Sequence, residues 1–240
     1  MKYGADRIEK HAKAMWSSIK DAIYSSHEPT LSFASESLDG VGFRDNVILT
    51  ESLNLLDTVF KQNSGLFLSW IIGDEDINLI FKSISSYKTY KEIALQSKQK
   101  LHAVGSILSV SAKASPAACN SVMESFFPCL MHALGLSVGN STQDCFPNDG
   151  NVLRGKLNHA ALYLCIELMT ACRELMASSE EFKSVAAPAN ERWYCLLQSY
   201  SASVAKALRS TLETSANEDS YETNVYFGGK DMFILISFFF

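Results

Sequence analysis

Residues 157–177 read LNHAALYLCIELMTACRELMA, and this stretch decides the fold class. Its apolar residues recur at steps of three, four and seven positions: Leu157, Ala161, Leu164, Leu168 and Leu175. Because an α-helix completes a turn every 3.6 residues, this spacing places all of them on one face. The pattern predicts an amphipathic helix from Val152 to Ala177.

The same periodicity continues in both directions along the chain. It predicts six more helices, over Ala5–Ser26, Val47–Gln62, the residues from Asp74 to Ile84, Lys91–Lys113, the residues from Pro116 to Leu134, and Asn190–Thr214. Asp74 and Ser115 are of residue types that are preferred at the N-cap of a helix. Proline is preferred at the first helical position, which Pro116 would occupy. We expect Asn63, Ser64 and Gly65 to end the second helix, and the apolar run at 66–72 to form a strand or a helix. Pro128 should kink the helix that contains it.

The predicted helices group into antiparallel pairs. The first helices of the pairs begin near Ala5, Asp74, Pro116 and Asn190, and the spacing of the middle two fits a HEAT repeat of about 40–47 residues. The sequence does not show the alternation of strands and helices that is typical of an α/β fold. We therefore predict an all-α fold, a HEAT/ARM-like α-solenoid of about three and a half helix pairs. Residues 1–224 form this repeat segment, and residues 225–240 form a divergent apolar stub.

Composition excludes several functional classes. With 47% hydrophobic and 20% charged residues, the chain can bury a core, and its net charge of −5 lacks the basic footprint of a nucleic-acid-binding protein. The sequence has no run of 18 apolar residues that would predict a membrane span. Its first residues do not have the pattern of a secretory signal. The six cysteines contain no CxxC pair, which favours a reducing compartment over a disulfide framework.

The cysteines were considered as metal ligands or redox groups. Cys165 and Cys172 share one helix face, and Cys119 and Cys129 lie on either side of the predicted kink at Pro128. A metal site would need further ligands from elsewhere in the fold, so packing of small apolar side chains is the favoured interpretation. Cys145 lies in a predicted loop and is the most exposed thiol expected, with nothing near it in sequence to activate it.

No catalytic, cofactor-binding or metal-binding residue is predicted. The five histidines form neither HxxxH nor HExxH: His11, His27, His102, His132 and His159. A phosphate-loop motif is absent from the sequence as well. The three tryptophans can be interface anchors or core residues, and Trp193 is assigned to the core. The acidic run from Glu213 to Glu222 reads as a solvated loop or a partner contact. We predict a chain that is not an enzyme and binds no cofactor.

Three stretches carry a family resemblance: YGADRIEKHAKAMWSSIKDAIY (3–24), KASPAACNSVMESFFPCLMHAL (113–134) and LRGKLNHAALYLCIELMTACRELM (153–176). They resemble the HEAT-repeat family of MMS-nineteen nucleotide excision repair homologues, most closely the plant form. The resemblance extends from about Lys2 to Phe227. Family members are several times longer, so the resemblance implies a middle stretch of such a protein, and the ending GKDMFILISFFF departs from the family and suggests a truncated form.

This resemblance implies a function as a scaffold. Family members act as adaptors of cytosolic iron–sulfur protein assembly, so the implied partners are the assembly subunits and the iron–sulfur apoproteins of DNA replication, repair and transcription. The implied location is the cytoplasm and the nucleus, with no direct nucleic-acid or membrane contact. Two alternatives remain: a generic HEAT-type interaction adaptor unrelated to iron–sulfur assembly, and a helical ligand-binding bundle or enzyme. Copurified partners would separate the adaptors, and an interior pocket would indicate the bundle.

Overall fold

The computed structural model describes residues 5–27, 41–84, 95–136, 158–178 and 191–215. Within these ranges every regular element is an α-helix, which confirms the all-α fold class. The helices are α1 (Ala5–Ser26), α2 (Val41–Ile72), α3 (Glu75–Ile84), α4 (Leu95–Lys113), α5 (Pro116–Ala133), α6 (His159–Ser178) and α7 (Arg192–Ser215). Turn-forming residues predict loops at Val138–Asn151 and Ser178–Ala189. Apart from Ser178, which is the last residue of α6, these loops, the loop residue Cys145 and the stub at 225–240 lie outside the described residues.

Two predicted N-caps are confirmed. Oδ1 of Asp74 accepts hydrogen bonds from the backbone N–H groups of Asp76 (3.0 Å) and Ile77 (3.1 Å) and so begins α3. The hydroxyl of Ser115 accepts from the N–H of Ala118 at 3.1 Å, and Pro116 occupies the first turn of α5. Each side chain satisfies backbone donors that have no partner within the helix.

The second helix is longer than predicted. We expected Asn63, Ser64 and Gly65 to end it, but α2 continues through them to Ile72. A glycine inside a helix costs about 1 kcal/mol relative to alanine. Continuation buries Phe67 and Ile71 on the core face, and burial of one such side chain is worth about 1.5–3 kcal/mol. Tertiary packing therefore outweighs the local breaker signal.

Two further predictions about α6 and α1 are wrong in detail. α6 begins at His159 rather than at Val152, because Asn158 caps it: Oδ1 of Asn158 accepts from the N–H of Ala161 at 3.1 Å. In α1, the helical spacing of Ile8, Ala12, Met15, Ile19 and Ile23 predicts that Met15 faces the core, but Met15 is 39% exposed, while Trp16 beside it is buried. The core stripe of α1 passes through Trp16 because its indole reaches a buried carboxylate, as described below.

The helices alternate between two layers. His102 near the middle of α4 and Lys113 at its end contact Tyr163 and Glu174 of α6 in the same order, so α4 and α6 run parallel. Asn120 and Phe127 of α5 likewise meet Trp193 and Tyr200 of α7. Only two residues join α4 to α5, and these two helices are antiparallel. α2 packs on α4, and α3 packs on α5, which extends both layers.

This alternation is the packing of an α-solenoid, in which each helix pair contacts its neighbours and the core is continuous. α1, α3, α5 and α7 occupy one layer, and α2, α4 and α6 the other. The predicted centre of the α6 face is confirmed, since Leu164 and Leu168 have no exposed surface, and Trp193 is fully buried as expected. That the pairs are of the HEAT type remains a prediction.

Candidate functional site

The predicted absence of catalytic, cofactor and metal residues stays a prediction. In the part of the chain that the structure describes, no group of three or more His, Cys, Asp or Glu side chains is placed to hold a metal ion. What the structure does show is a set of polar and sulfur contacts between helices, and these are the chemical features of the stack.

The buried thiols pair across two helices rather than along one. Sγ of Cys119 on α5 lies 3.5 Å from Sγ of Cys172 on α6, and both side chains are fully buried. The hydrogen bond to Cys172, together with burial, raises the pKa of the Cys119 thiol. Burial also raises the pKa of Cys165. The environments of Cys119 and Cys165 disfavour their thiolates, and packing is the better interpretation for all three buried cysteines. Cys129, which we expected to pack, is exposed.

A charged contact joins α1 to the start of α3. We call it the Asp74 joint, and it comprises Trp16, Lys20, Asp74 and Asp76. Oδ2 of Asp74 accepts from Nε1 of Trp16 at 2.9 Å and from Nζ of Lys20 at 3.0 Å. Lys20 also donates to Oδ2 of Asp76 at 2.6 Å. With its other oxygen on the α3 cap, a single carboxylate therefore holds two helices together.

Burial and the neighbouring carboxylates together set the protonation states around this joint. Burial lowers the pKa of Lys20, but its hydrogen bonds and charge interactions with Asp76 and Asp74 outweigh that effect, and the pKa is raised overall. Burial, reinforced by the charges of Asp74 and Asp76, raises the pKa of Tyr24. Lys20 is therefore a cation and Tyr24 a neutral phenol at physiological pH.

Two asparagines make neutral joints of the same kind. Nδ2 of Asn158 donates to the backbone oxygen of Ile84 at 2.7 Å, which ties the end of α3 to the start of α6. Oδ1 of Asn120 accepts from the N–H of Trp193 at 2.8 Å, and its Nδ2 donates to Glu191 at 2.9 Å. Asn120 thereby ties α5 to the first turn of α7. Sequence reasoning missed both, although Asn158 carried a known N-cap signal, an asparagine before an apolar periodic run.

Two of the histidines form a cluster with a tyrosine. The rings of His27 and His102 stack with centroids 6.3 Å apart, and His102 meets Tyr163 edge-on at 4.8 Å. Burial, and then the charge of His102, lowers the pKa of His27. Burial alone lowers the pKa of His102. His11 and His132 are exposed.

The outer surface carries a few large apolar side chains. Five of them are more than a third exposed, on α1, α2 and α3: Met15, Val47, Ile48, Leu55 and Leu79. Among the described helices, none has the length and apolar character needed to cross a membrane. These exposed apolar side chains therefore lie on the first two helix pairs.

Comparison with known proteins adds one relative. No family model and no solved structure matches the chain. The chain is 38% identical over 232 residues to the MMS19 nucleotide excision repair protein homolog of Arabidopsis thaliana. The match includes 97% of this chain, whereas the chain spans only 20% of the length of that relative. This confirms the resemblance seen in the sequence: over nearly all of its length, the chain is similar to one fifth of a plant MMS19 nucleotide excision repair protein homolog.

Proposed function

We propose that this chain is a non-catalytic scaffold segment of cytosolic iron–sulfur protein assembly. It holds assembly subunits beside the apoproteins of DNA replication, repair and transcription, in the cytoplasm and the nucleus. The observation that carries the proposal is the 38% identity over 97% of the chain to the MMS19 homolog. The name of that relative supports a role related to DNA repair.

The helix stack supports a scaffold. Its two layers leave long outer faces on which proteins can bind without a deep pocket. A closed ligand-binding bundle would instead surround an interior site. The described helices are layered rather than closed on themselves, so the bundle alternative is less well supported.

The cysteine chemistry supports a role as holder rather than as cluster carrier. Ligation of an iron–sulfur cluster uses about four thiolates that converge on one point. Within the described ranges, the thiol pair of Cys119 and Cys172 is buried, and the pKa of Cys119 is raised. Cys129 and Cys195 are exposed but lie on different helices. We therefore place the cluster on the bound partners.

Affinity purification tests the proposal. The tagged 240-residue chain is expressed in plant cells, and copurified proteins are quantified by mass spectrometry. The full-length Arabidopsis relative serves as the positive control. The negative control is the chain with Leu164→Asp and Leu168→Asp, which places two charges in the core and leaves the surface sequence unchanged. We expect assembly subunits and iron–sulfur apoproteins to be enriched over the negative control.

The opposing outcome is equally concrete. If the relative captures assembly subunits and this chain captures transport or cytoskeletal proteins instead, the generic HEAT-type adaptor is the correct function. If the chain captures the same proteins as the variant with the disrupted core, the scaffold proposal fails for these 240 residues.

A further inference from the structure

Three helices from three successive pairs meet at one cluster of rings. We call it the histidine joint, and it comprises His27 just after α1, His102 on α4 and Tyr163 on α6. The rings of His27 and His102 are nearly parallel, with an interplanar angle of 20°. The ring of Tyr163 stands edge-on to His102 and lies against the backbone of α4 at Gly105, where a Cβ would be 3.0 Å from it.

The joint is closely packed and short of hydrogen bonds on the α1 side. Within the described residues, Nε2 of His27 is buried with no hydrogen-bond partner, and so is the hydroxyl of Tyr24 one turn earlier. A proton added to His27 would therefore create a buried charge without an acceptor. It would also face the imidazole of His102 across the stack, where a second proton would bring two like charges together.

The titratable and charged groups around the joint lie on α1, on α4, on α6 and at the start of α3. Tyr24 lies on α1, and Asp74 and Asp76 act on it from the start of α3. Glu167 of α6 packs with Tyr163 against Gly105 of α4. Lys98 precedes His102 by one turn of α4. Burial lowers the pKa of both histidines, and the charge of His102 lowers the pKa of His27 further.

We propose that the stack of His27 on His102 is an acid-sensitive joint between α1 and the α4–α6 layer. Neutral imidazoles hold the end of α1 against α4, and protonation of the pair releases it. The first helix pair then loosens from the rest of the solenoid while the remaining helices stay packed. This inference concerns the stack itself and does not rest on the function in iron–sulfur assembly.

The direction of the pH effect follows from proton linkage. The pKa of each histidine is lower in the folded chain than the value of about 6.5 in an unfolded chain. The unfolded chain therefore binds more protons near that pH. The joint contributes its full stability above about pH 6.5, and this contribution declines as the pH falls below it.

Unfolding in urea, followed by circular dichroism at about pH 8 and about pH 5, tests the stability arm on either side of that value. The variant is His27→Gln, which keeps a polar side chain but cannot take up a proton. The matched control is His11→Gln, which removes an exposed histidine from the same helix. We expect the acid-induced rise of the unfolding equilibrium constant to be smaller in His27→Gln than in the wild-type chain, and unchanged in His11→Gln. Equal rises in all three chains would overturn the proposal.

Imidazole titration by NMR provides a readout that a merely structural contact would not change. In the wild-type chain, both resonances should titrate below about pH 6.5. In His102→Gln, the titration midpoint of His27 should move to higher pH, because the positive charge of His102 no longer disfavours protonation of His27. A His27 midpoint that stays in place in His102→Gln would refute the coupling. The wild-type titration is measured on the folded chain, so it decides the proposal even if a variant folds poorly.

Discussion

Replacement of Asp74 should show how much of the stack depends on one carboxylate. Asp74 is the shared acceptor of the Asp74 joint, and its side chain is 6% exposed, against 15% for Lys20. Solvent therefore screens this ion pair little, in contrast to surface pairs, which contribute about 0–1 kcal/mol. Two substitutions separate the functions of its two oxygens: Asp74→Asn keeps an acceptor for the α3 cap, and Asp74→Ala removes both.

The structure fixes the expected magnitudes. Loss of the N-cap costs about 1 kcal/mol. Removal of one partner of a buried ion pair costs about 3–5 kcal/mol. We take the lower end because Lys20 keeps its contact with Asp76 at 2.6 Å. Asp74→Asn should therefore lose about 3 kcal/mol of unfolding free energy, and Asp74→Ala about 4 kcal/mol. For a domain with about 5–15 kcal/mol in total, either loss is large.

Urea unfolding at neutral pH, followed by circular dichroism, measures both losses. The control is Asp57→Asn, which breaks an ion pair with Lys61 one turn along α2, where the lysine is 63% exposed. That change should cost no more than about 0.5 kcal/mol. If Asp74→Asn is as stable as Asp57→Asn, Asp74 does not join α1 to α3 as the structure shows, and the reasoning fails.

Three other comparisons use the free energy of unfolding as the readout. Leu56→Ala should cost about 2–5 kcal/mol because Leu56 is fully buried, whereas its neighbour Leu55, 48% exposed, should lose less than about 0.5 kcal/mol when replaced by Gln; equal losses would mean that α2 is rotated. Gly65→Ala should gain about 0.5–1 kcal/mol, since α2 continues through an open position there, and a loss would instead support a helix end at Gly65. Asn158→Ala should cost about 2 kcal/mol, and Asn158→Ser should recover about half by keeping the cap; no recovery would contradict the cap.

The sequence predicted what depends on neighbours in the chain. Helical periodicity depends on residues three and four positions apart, so the helices, the Asp74 and Ser115 caps and the buried face around Leu164 could all be inferred. It failed at Gly65, where distant packing outweighs a local breaker, and at the start of α6, where the cap signal of Asn158 was overlooked. The first error reflects the competition between local propensity and burial at a helix end, and the second shows that a capping side chain can set a helix start within a continuous apolar pattern.

The contacts that distinguish this stack were beyond that kind of inference. Cys119 and Cys172 are 53 positions apart, Asn120 and Trp193 are 73 apart, and Asn158 is 74 from Ile84. Contacts between residues so far apart in the sequence can be inferred only when the arrangement of the helices in the two layers is known. A single sequence carries no periodic signal for them, because each occurs once.

The polar joints explain how a stack of apolar layers can have a definite shape. Apolar contacts depend on buried area and have little directional preference, so layers that pack through them alone can slide at small cost. A hydrogen bond requires an aligned donor and acceptor at about 2.9 Å. Asp74, Asn158 and Asn120 each place such bonds at the start of a helix that belongs to a different pair from their partner. The joints thereby fix the offset between pairs, and a scaffold of the proposed kind needs that offset because it must hold two proteins at a constant separation.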